Sequence, residues 1–262
     1  MMGGLGNLLF QIATLYSLAK DRDEVFCISN KTNSITHRED EDEWFKTILK
    51  EIPQVPFRPR QIDRIFREQG MSIQQFPLNR NMEIFGYFQS DIYFRHNKNK
   101  IVELFTKYKN ELNLKPYDKP TIGVHVRRGD YVNLQHAHVV LPVSYYNNAL
   151  LTMSKKLGFD SIKELNEKYR IVVFSDDISW CKQAFNNIKN IQFMEGNKAV
   201  EDLYLMNMCD HNIMANSTFS WWGTYLNNKN DKIVIAPKQW FNPKFRKEEE
   251  WQTLYRDDMI LL

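Results

Sequence analysis

The second half of the chain alternates short apolar runs with amphipathic stretches, and this alternation limits the fold more than any other feature. Thr121-Ile122-Gly123-Val124-His125-Val126 predicts a buried strand. Residues 142–157 follow with helical spacing, which puts Tyr146, Leu150 and Met153 on one stripe. Tyr169-Arg170-Ile171-Val172-Val173-Phe174 predicts a second buried strand, residues 191–194 a third, 212–215 a fourth and 232–236 a fifth. Residues 201–209 read as a helix between the third and the fourth. Strands alternating with helices form a mostly parallel sheet covered on both faces. With 43% hydrophobic and 26% charged residues, the chain is no disordered tail, collagen or coiled-coil rod.

The first half is sparser. Residues 7–20 have helical spacing, with Leu8, Ile12, Leu15 and Ala19 on one face. Residues 25–29 and 83–88 predict strands. Residues 31–81 are polar, with an acidic run at 39–43 and prolines at Pro53, Pro56, Pro59 and Pro77. A second, smaller α/β unit is expected here. Lys115-Pro116-Tyr117-Asp118-Lys119-Pro120 reads as a linker, because its two prolines disfavour regular structure. The expected domains are therefore residues 1–116 and 117–262.

The polar residues that follow the strands carry the chemistry. In open parallel sheets, ligands bind beyond the carboxyl ends of the strands. The first strand runs into Arg127-Arg128-Gly129-Asp130, the second into Ser175-Asp176-Asp177, and the fourth into Asn216-Ser217-Thr218-Phe219-Ser220. Arg127 or Arg128 can fork two N–H bonds onto a phosphate. Ser217, Thr218 and Ser220 precede an expected helix at residues 221–227, and a helix start binds anions. Asp176 and Asp177 would repel a phosphate and suit sugar hydroxyls or the N–H edge of a base. Together these endings describe a nucleotide-diphosphate site. The opening Gly3-Gly4-Leu5-Gly6-Asn7 permits a tight turn or close approach to a ligand, and Asn7 suits either a helix cap or a ligand contact.

Several classes lose support. With 35 basic and 32 acidic residues the net charge is +3, too balanced for a typical nucleic-acid binder but compatible with one basic pocket. Cys27, Cys181 and Cys209 are too widely spaced for a disulfide framework or a C-x-x-C metal site. Asp21-Arg22-Asp23 and Asp40-Glu41-Asp42 have D-x-D spacing but sit in charge-rich stretches, and His136 and His138 lack further ligands nearby. No metal or other cofactor is expected. Neither G-x-G-x-x-G nor G-x-S-x-G occurs, which disfavours a nicotinamide oxidoreductase and a serine hydrolase. No apolar run is long enough for a transmembrane helix, and the opening residues do not read as a signal peptide. A soluble, cytoplasmic chain of bacterial or viral type, without stable membrane insertion, is expected.

Five motifs occur in order: Gly3-Gly4-Leu5-Gly6-Asn7, Gly86-Tyr87-Phe88-Gln89-Ser90, His125-Val126-Arg127-Arg128-Gly129-Asp130-Tyr131, Phe174-Ser175-Asp176-Asp177 and Ser217-Thr218-Phe219-Ser220-Trp221-Trp222. Together they resemble the α-1,2-fucosyltransferases of glycosyltransferase family eleven. The resemblance implies an α/β, GT-B-like fold of two Rossmann-like domains with the active site in the cleft between them. It implies metal-free, inverting transfer of fucose from GDP-β-L-fucose to a glycan acceptor, with terminal β-galactose as the family expectation. It implies that Arg127 holds the β-phosphate and that His125 and Asp202 read guanine. The other donor-side residues are Arg128, Ser175, Asp176, Asp177, Ser217, Thr218, Phe219 and Ser220. Gly4, Gly6 and Asn7 face the fucose and acceptor, and residues 31–81 are expected to shape the acceptor groove. Asp130 is either a general base or a group that orients the arginines. Another linkage or acceptor on the same scaffold, or a non-catalytic nucleotide- or glycan-binding module, are the alternative readings. The family's usual Gln is replaced here by Leu8, which removes a polar contact expected at that position.

Overall fold

The structure, a computed structural model, describes residues 1–29, 41–55, 62–79 and 81–262. Its chain divides into two units, Met1–Glu111 with Glu249–Arg256, and Leu112–Glu248 with Asp257–Leu262. The linker prolines suggest one break at residues 116/117. The structure instead breaks at 111/112, and residues 249–256 return to the first unit with Trp251 and Leu254 buried.

The first unit opens with α1 (Leu5–Asp21), whose Leu8, Leu9, Ile12 and Ala13 are fully buried. Gly3 sits at φ +80°, a conformation that residues with a Cβ rarely adopt, and a Cβ there would collide with the Asn7 side chain. The unit continues through β1 (Ile28–Ser29), α2 (Glu41–Lys46), β2 (Gln54–Val55), β3 (Arg64–Arg67), β4 (Met82–Phe85) and α3 (Lys98–Thr106). β1 pairs with β2 and β3 with β4, both in parallel. The expected strand at 83–88 stops at Phe85 for a visible reason. The Glu68 carboxylate accepts the backbone N–H groups of Tyr87 (2.7 Å) and Phe88 (3.0 Å), and Phe88 takes φ +51°. Of the polar region 31–81, residues 31–40, 56–61 and 80 lie outside the described residues, Asp40 among them.

The second unit contains β5 (Thr121–Val126), α4 (Val143–Lys156), α5 (Ile162–Lys168), β6 (Arg170–Ser175), α6 (Ile178–Ala184), β7 (Ile191–Phe193), α7 (Ala199–Met208), β8 (His211–Ile213), α8 (Thr218–Tyr225), β9 (Val234–Ala236) and β10 (Met259–Leu261), with α9 (Glu248–Trp251) where the chain crosses between units. Every residue of β5 is buried, as a strand covered on both faces requires. Along β6, Ile171 and Val173 join one core with Tyr146, Leu150 and Met153 of α4, while Val172 and Phe174 join another with Leu205 and Met206 of α7. Alternate side chains of one strand thus enter the two faces, which is the period-2 rule at work.

The six strands are all parallel and ordered β7-β6-β5-β8-β9-β10. The chain moves outward from β5 through β6 and β7, then resumes on the other side at β8. This is the doubly wound order of a Rossmann-like domain, with its switch point between β5 and β8. The α/β class expected from the sequence is the one observed, and the second unit has the expected Rossmann-like order; the described residues of the first unit form two two-stranded sheets. β10 was not expected; its residues form a short strand with no periodic signal of their own.

Candidate active site

The register of β5 and β6 builds the centre of the site. Val126 lies opposite Ser175, so the residues just beyond the two strands meet. Arg127 Nη1 pairs with Asp176 Oδ2 at 2.7 Å, and Arg127 Nη2 with Asp130 Oδ1 at 2.5 Å. Asp176 Oδ1 also accepts the Arg128 backbone N–H at 2.9 Å. Arg128 Nε donates to Asp177 Oδ2 at 3.1 Å while its guanidinium lies 4.1 Å from the Trp180 ring centroid. Asp177 Oδ1 caps α6 by accepting the Trp180 N–H, and Ser175 Oγ accepts the Asp177 N–H. A Cβ on Gly129 would collide with the Asp176 carboxylate, so the close approach of these loops needs glycine.

Asp176 and Asp177, expected to meet sugar hydroxyls or a base edge, both contact the arginines in this structure. Adjacent cations and adjacent anions at the ends of two neighbouring strands neutralise each other. Arg128, read as a phosphate fork, is engaged by Asp177 and Trp180, and its side chain is 18% exposed against 33% for Arg127. Arg127 is the more exposed of the two, though paired with two carboxylates.

Across the switch point, α8 begins three residues earlier than expected. Ser217 is its cap, accepting the Phe219 N–H at 3.3 Å, and Thr218, Phe219 and Ser220 form its first turn. Ser220 is buried, and its Oγ donates back to the Ala215 and Ser217 carbonyls. Its hydroxyl is thus a scaffold group, while Thr218 and Phe219 are half-buried at a helix start, a place where unpaired N–H groups favour negative charge. Trp221 and Trp222 are fully buried. Phe219 lies 5.5 Å from the buried His125 ring. Burial, and secondarily Arg127, push the His125 pKa down to about 3, so the imidazole is neutral. Its Nδ1 is buried without a hydrogen-bond partner among the described residues, a costly state that a ligand would relieve. Asp202 lies in the first turn of α7, where Asn197 Nδ2 donates to it at 2.8 Å. Burial raises its pKa to about 6.

Two residues escaped the sequence reading. Tyr131 donates its hydroxyl to the Asn216 carbonyl at 3.2 Å, and the Arg127 guanidinium lies over its ring. Asn216 Nδ2 in turn donates to the Val139 and Trp240 carbonyls, tying three loops together. Tyr131 closes the third motif and Asn216 opens a strand ending, but only their contacts mark them out.

In the first unit, Gly4 rather than Asn7 caps α1. Asn7 is the third residue of the helix, and its Oδ1 accepts Gln89 Nε2 at 2.8 Å, joining the first two motifs. Gly4 is exposed and Gly6 is buried. Leu8 is core. The D-x-D pair at Asp21 is scaffold: the Asp21 carboxylate contacts His96 Nε2 and Asn97 Nδ2, and Arg22 donates to the Pro77 and Asn79 carbonyls. Among the described residues, no three His, Cys, Asp or Glu side chains are grouped to hold a metal, and no helix is long and apolar enough to cross a membrane.

With this geometry in view, the relatives of the chain are informative. The family described as glycosyl transferase family 11 matches residues 2–260. An α-1,2-colitosyltransferase of Escherichia coli is 32% identical, over 92% of this chain and 91% of that protein. The O-antigen biosynthesis glycosyltransferase WbnK of Escherichia coli is 36% identical over 60% of this chain and 55% of its own length. The galactoside α-(1,2)-fucosyltransferase 2 of Oryctolagus cuniculus is 26% identical over 90% of this chain and 68% of its own. Among solved structures, the NodZ α-1,6-fucosyltransferase soaked with GDP-fucose aligns at TM-score 0.44 and 12% identity, covering 85% of this chain and 89% of that one.

Proposed function

This chain belongs to glycosyl transferase family 11, and from that premise we propose that it is an inverting, metal-independent fucosyltransferase. In the proposed reaction, L-fucose passes from GDP-β-L-fucose to the 2-hydroxyl of an acceptor sugar, terminal β-galactose. The observation that carries the reading is Arg127, a guanidinium beyond the carboxyl end of β5 at the switch point, oriented by two carboxylates.

The chemistry follows from that placement. The acceptor hydroxyl oxygen attacks the fucose anomeric carbon on the face opposite the nucleotide and gives up its proton to solvent. The bond from that carbon to the β-phosphate oxygen breaks, and its electron pair leaves with GDP. Negative charge therefore grows on the β-phosphate in the transition state. Arg127, charged at any working pH, and the N–H groups at the start of α8 are suited to stabilise that charge as it develops. In this reading Ser217, Thr218, Phe219 and Ser220 line the diphosphate through their backbone. The neutral His125 and the Asp202 carboxylate read guanine, and a carboxylate accepts two N–H bonds from one base edge. Gly4, Gly6 and Asn7 serve the fucose and acceptor. The 2.5 Å contact between Asp130 and Arg127 favours an orienting role for Asp130 over that of general base.

One observation favours a second reading of the donor: a colitosyltransferase is 32% identical over most of both chains. A transfer assay on β-galactosides separates the two, with GDP-fucose and nucleotide-activated colitose supplied singly and in competition. Preferred use of GDP-fucose supports the first reading. Preferred use of the colitosyl donor replaces it, and turnover of neither donor removes both.

A further inference from the structure

Asp130 and Asp176 grip Arg127 at its two Nη atoms, at 2.5 and 2.7 Å. Contacts at those two points fix where the guanidinium sits but let it rock about the line joining them. The remaining constraint comes from its face. Arg127 Cζ lies 5.2 Å from the Tyr131 ring centroid, within cation–π range. Tyr131 is itself held. Its hydroxyl donates to the Asn216 carbonyl, and its ring stacks on His138 at 4.0 Å with an interplanar angle of 12°. His138 bridges to Phe241 through the backbone, and their rings lie 5.6 Å apart. Burial pushes the Tyr131 pKa up to about 12, so the phenol remains a donor. Burial also lowers the His138 pKa, which disfavours a second cation beside Arg127.

We propose that Tyr131, seated on His138, is a positioning residue that sets the tilt of the Arg127 guanidinium. The consequence for catalysis rests on the donor reading above; the positioning itself rests on the geometry alone. A guanidinium free to rock still binds a diphosphate through its charge. It no longer presents its N–H groups where charge develops as the bond breaks. Loss of Tyr131 is therefore felt in kcat more than in donor KM.

Two measurements on the full chain test this. The first needs no substrate: nitrogen-15 relaxation of the Arg127 Nε–H group reports the amplitude with which the guanidinium plane rocks. The amplitude is small in the parent protein and in Tyr131→Phe, and larger in Tyr131→Leu. The second is transfer kinetics. Tyr131→Leu lowers kcat on the order of ten- to a hundredfold with donor KM within about threefold, and Tyr131→Phe recovers most of the rate. Because Tyr131 acts through Arg127, adding Tyr131→Leu to Arg127→Ala costs no further rate. Should Tyr131→Leu fail to fold, His138→Leu keeps the tyrosine, removes its support and shifts both readouts in the same direction. Unchanged rocking of the Arg127 guanidinium, or losses that multiply in the double variant, would overturn the proposal. Absence of any transfer by the parent protein counts against the donor reading alone, since the NMR result still decides the positioning role.

Discussion

Arg127 stands between two carboxylates, and its variants separate charge from geometry. Arg127→Lys keeps the charge but loses the planar fork, whereas Arg127→Ala loses both. Steady-state transfer kinetics should show a kcat loss of about a hundredfold or more for Arg127→Ala, with Arg127→Lys between it and the parent. Near-parental turnover by Arg127→Ala would remove the assignment. Asp202 makes a prediction in pH. Burial raises its pKa above the usual carboxylate range, to about 6, and only its ionised form accepts two N–H bonds. Donor KM should rise as pH falls through about 6, and Asp202→Asn should flatten that limb. The stability sign is the reverse. The folded state favours the protonated acid, so this group adds stability as pH falls from about 6 towards 4 and lowers it above. At this scale the sequence places Arg127 just beyond one strand and Asp202 on the helix before another, where the structure has them. It does not disclose that Asp176 and Asp177 meet the arginines, because that contact depends on strand register. The run of two arginines and the run of two aspartates are complementary only once Val126 is known to face Ser175.

Among the elements, the start of α8 does most to define the site. Ser217→Ala should cost about 1 kcal/mol of stability, the usual worth of a cap, and should also raise donor KM by loosening the first turn. Ser161 is the matching control. It caps α5 by accepting the Glu164 N–H at 3.2 Å, and Ser161→Ala should lower stability by a similar amount, about 1 kcal/mol, while leaving KM unchanged. Chemical denaturation together with donor titration distinguishes the pair. Equal KM shifts in both variants would show that α8 has no special role. The helices and strands of the second unit were readable because β5 and β6 are unbroken apolar runs and α4 has a clean stripe. The start of α8 was misplaced because that helix is buried nearly all round, so its sequence lacks the alternation that marks a beginning. The cap reading of Asn7, one of two left open, fails for a related reason. The chain enters the helix at Gly4, and the Asn7 side chain is drawn away by Gln89, whose position no local pattern discloses.

For the whole molecule, alternation along residues 121–236 was enough to expect a parallel α/β sheet. Which strands are neighbours was not, because side-chain periodicity says nothing of strand order. The return of residues 249–256 to the first unit was equally hidden, since a single turn of helix around Trp251 has no period to detect. In the proposed function a guanidinium and a helix start handle a diphosphate, and the small net charge of +3 is compatible with that. Chelation with EDTA should therefore leave the transfer rate intact, and a loss that added divalent cations reverse would contradict the metal-free proposal. The most direct measurement is NMR of the product after incubation with GDP-β-L-fucose and a terminal β-galactoside. The account predicts one α-linked fucose on the galactose 2-hydroxyl for each GDP released. A β-linked product, or GDP-fucose left intact after exhaustive incubation with acceptor, would contradict it.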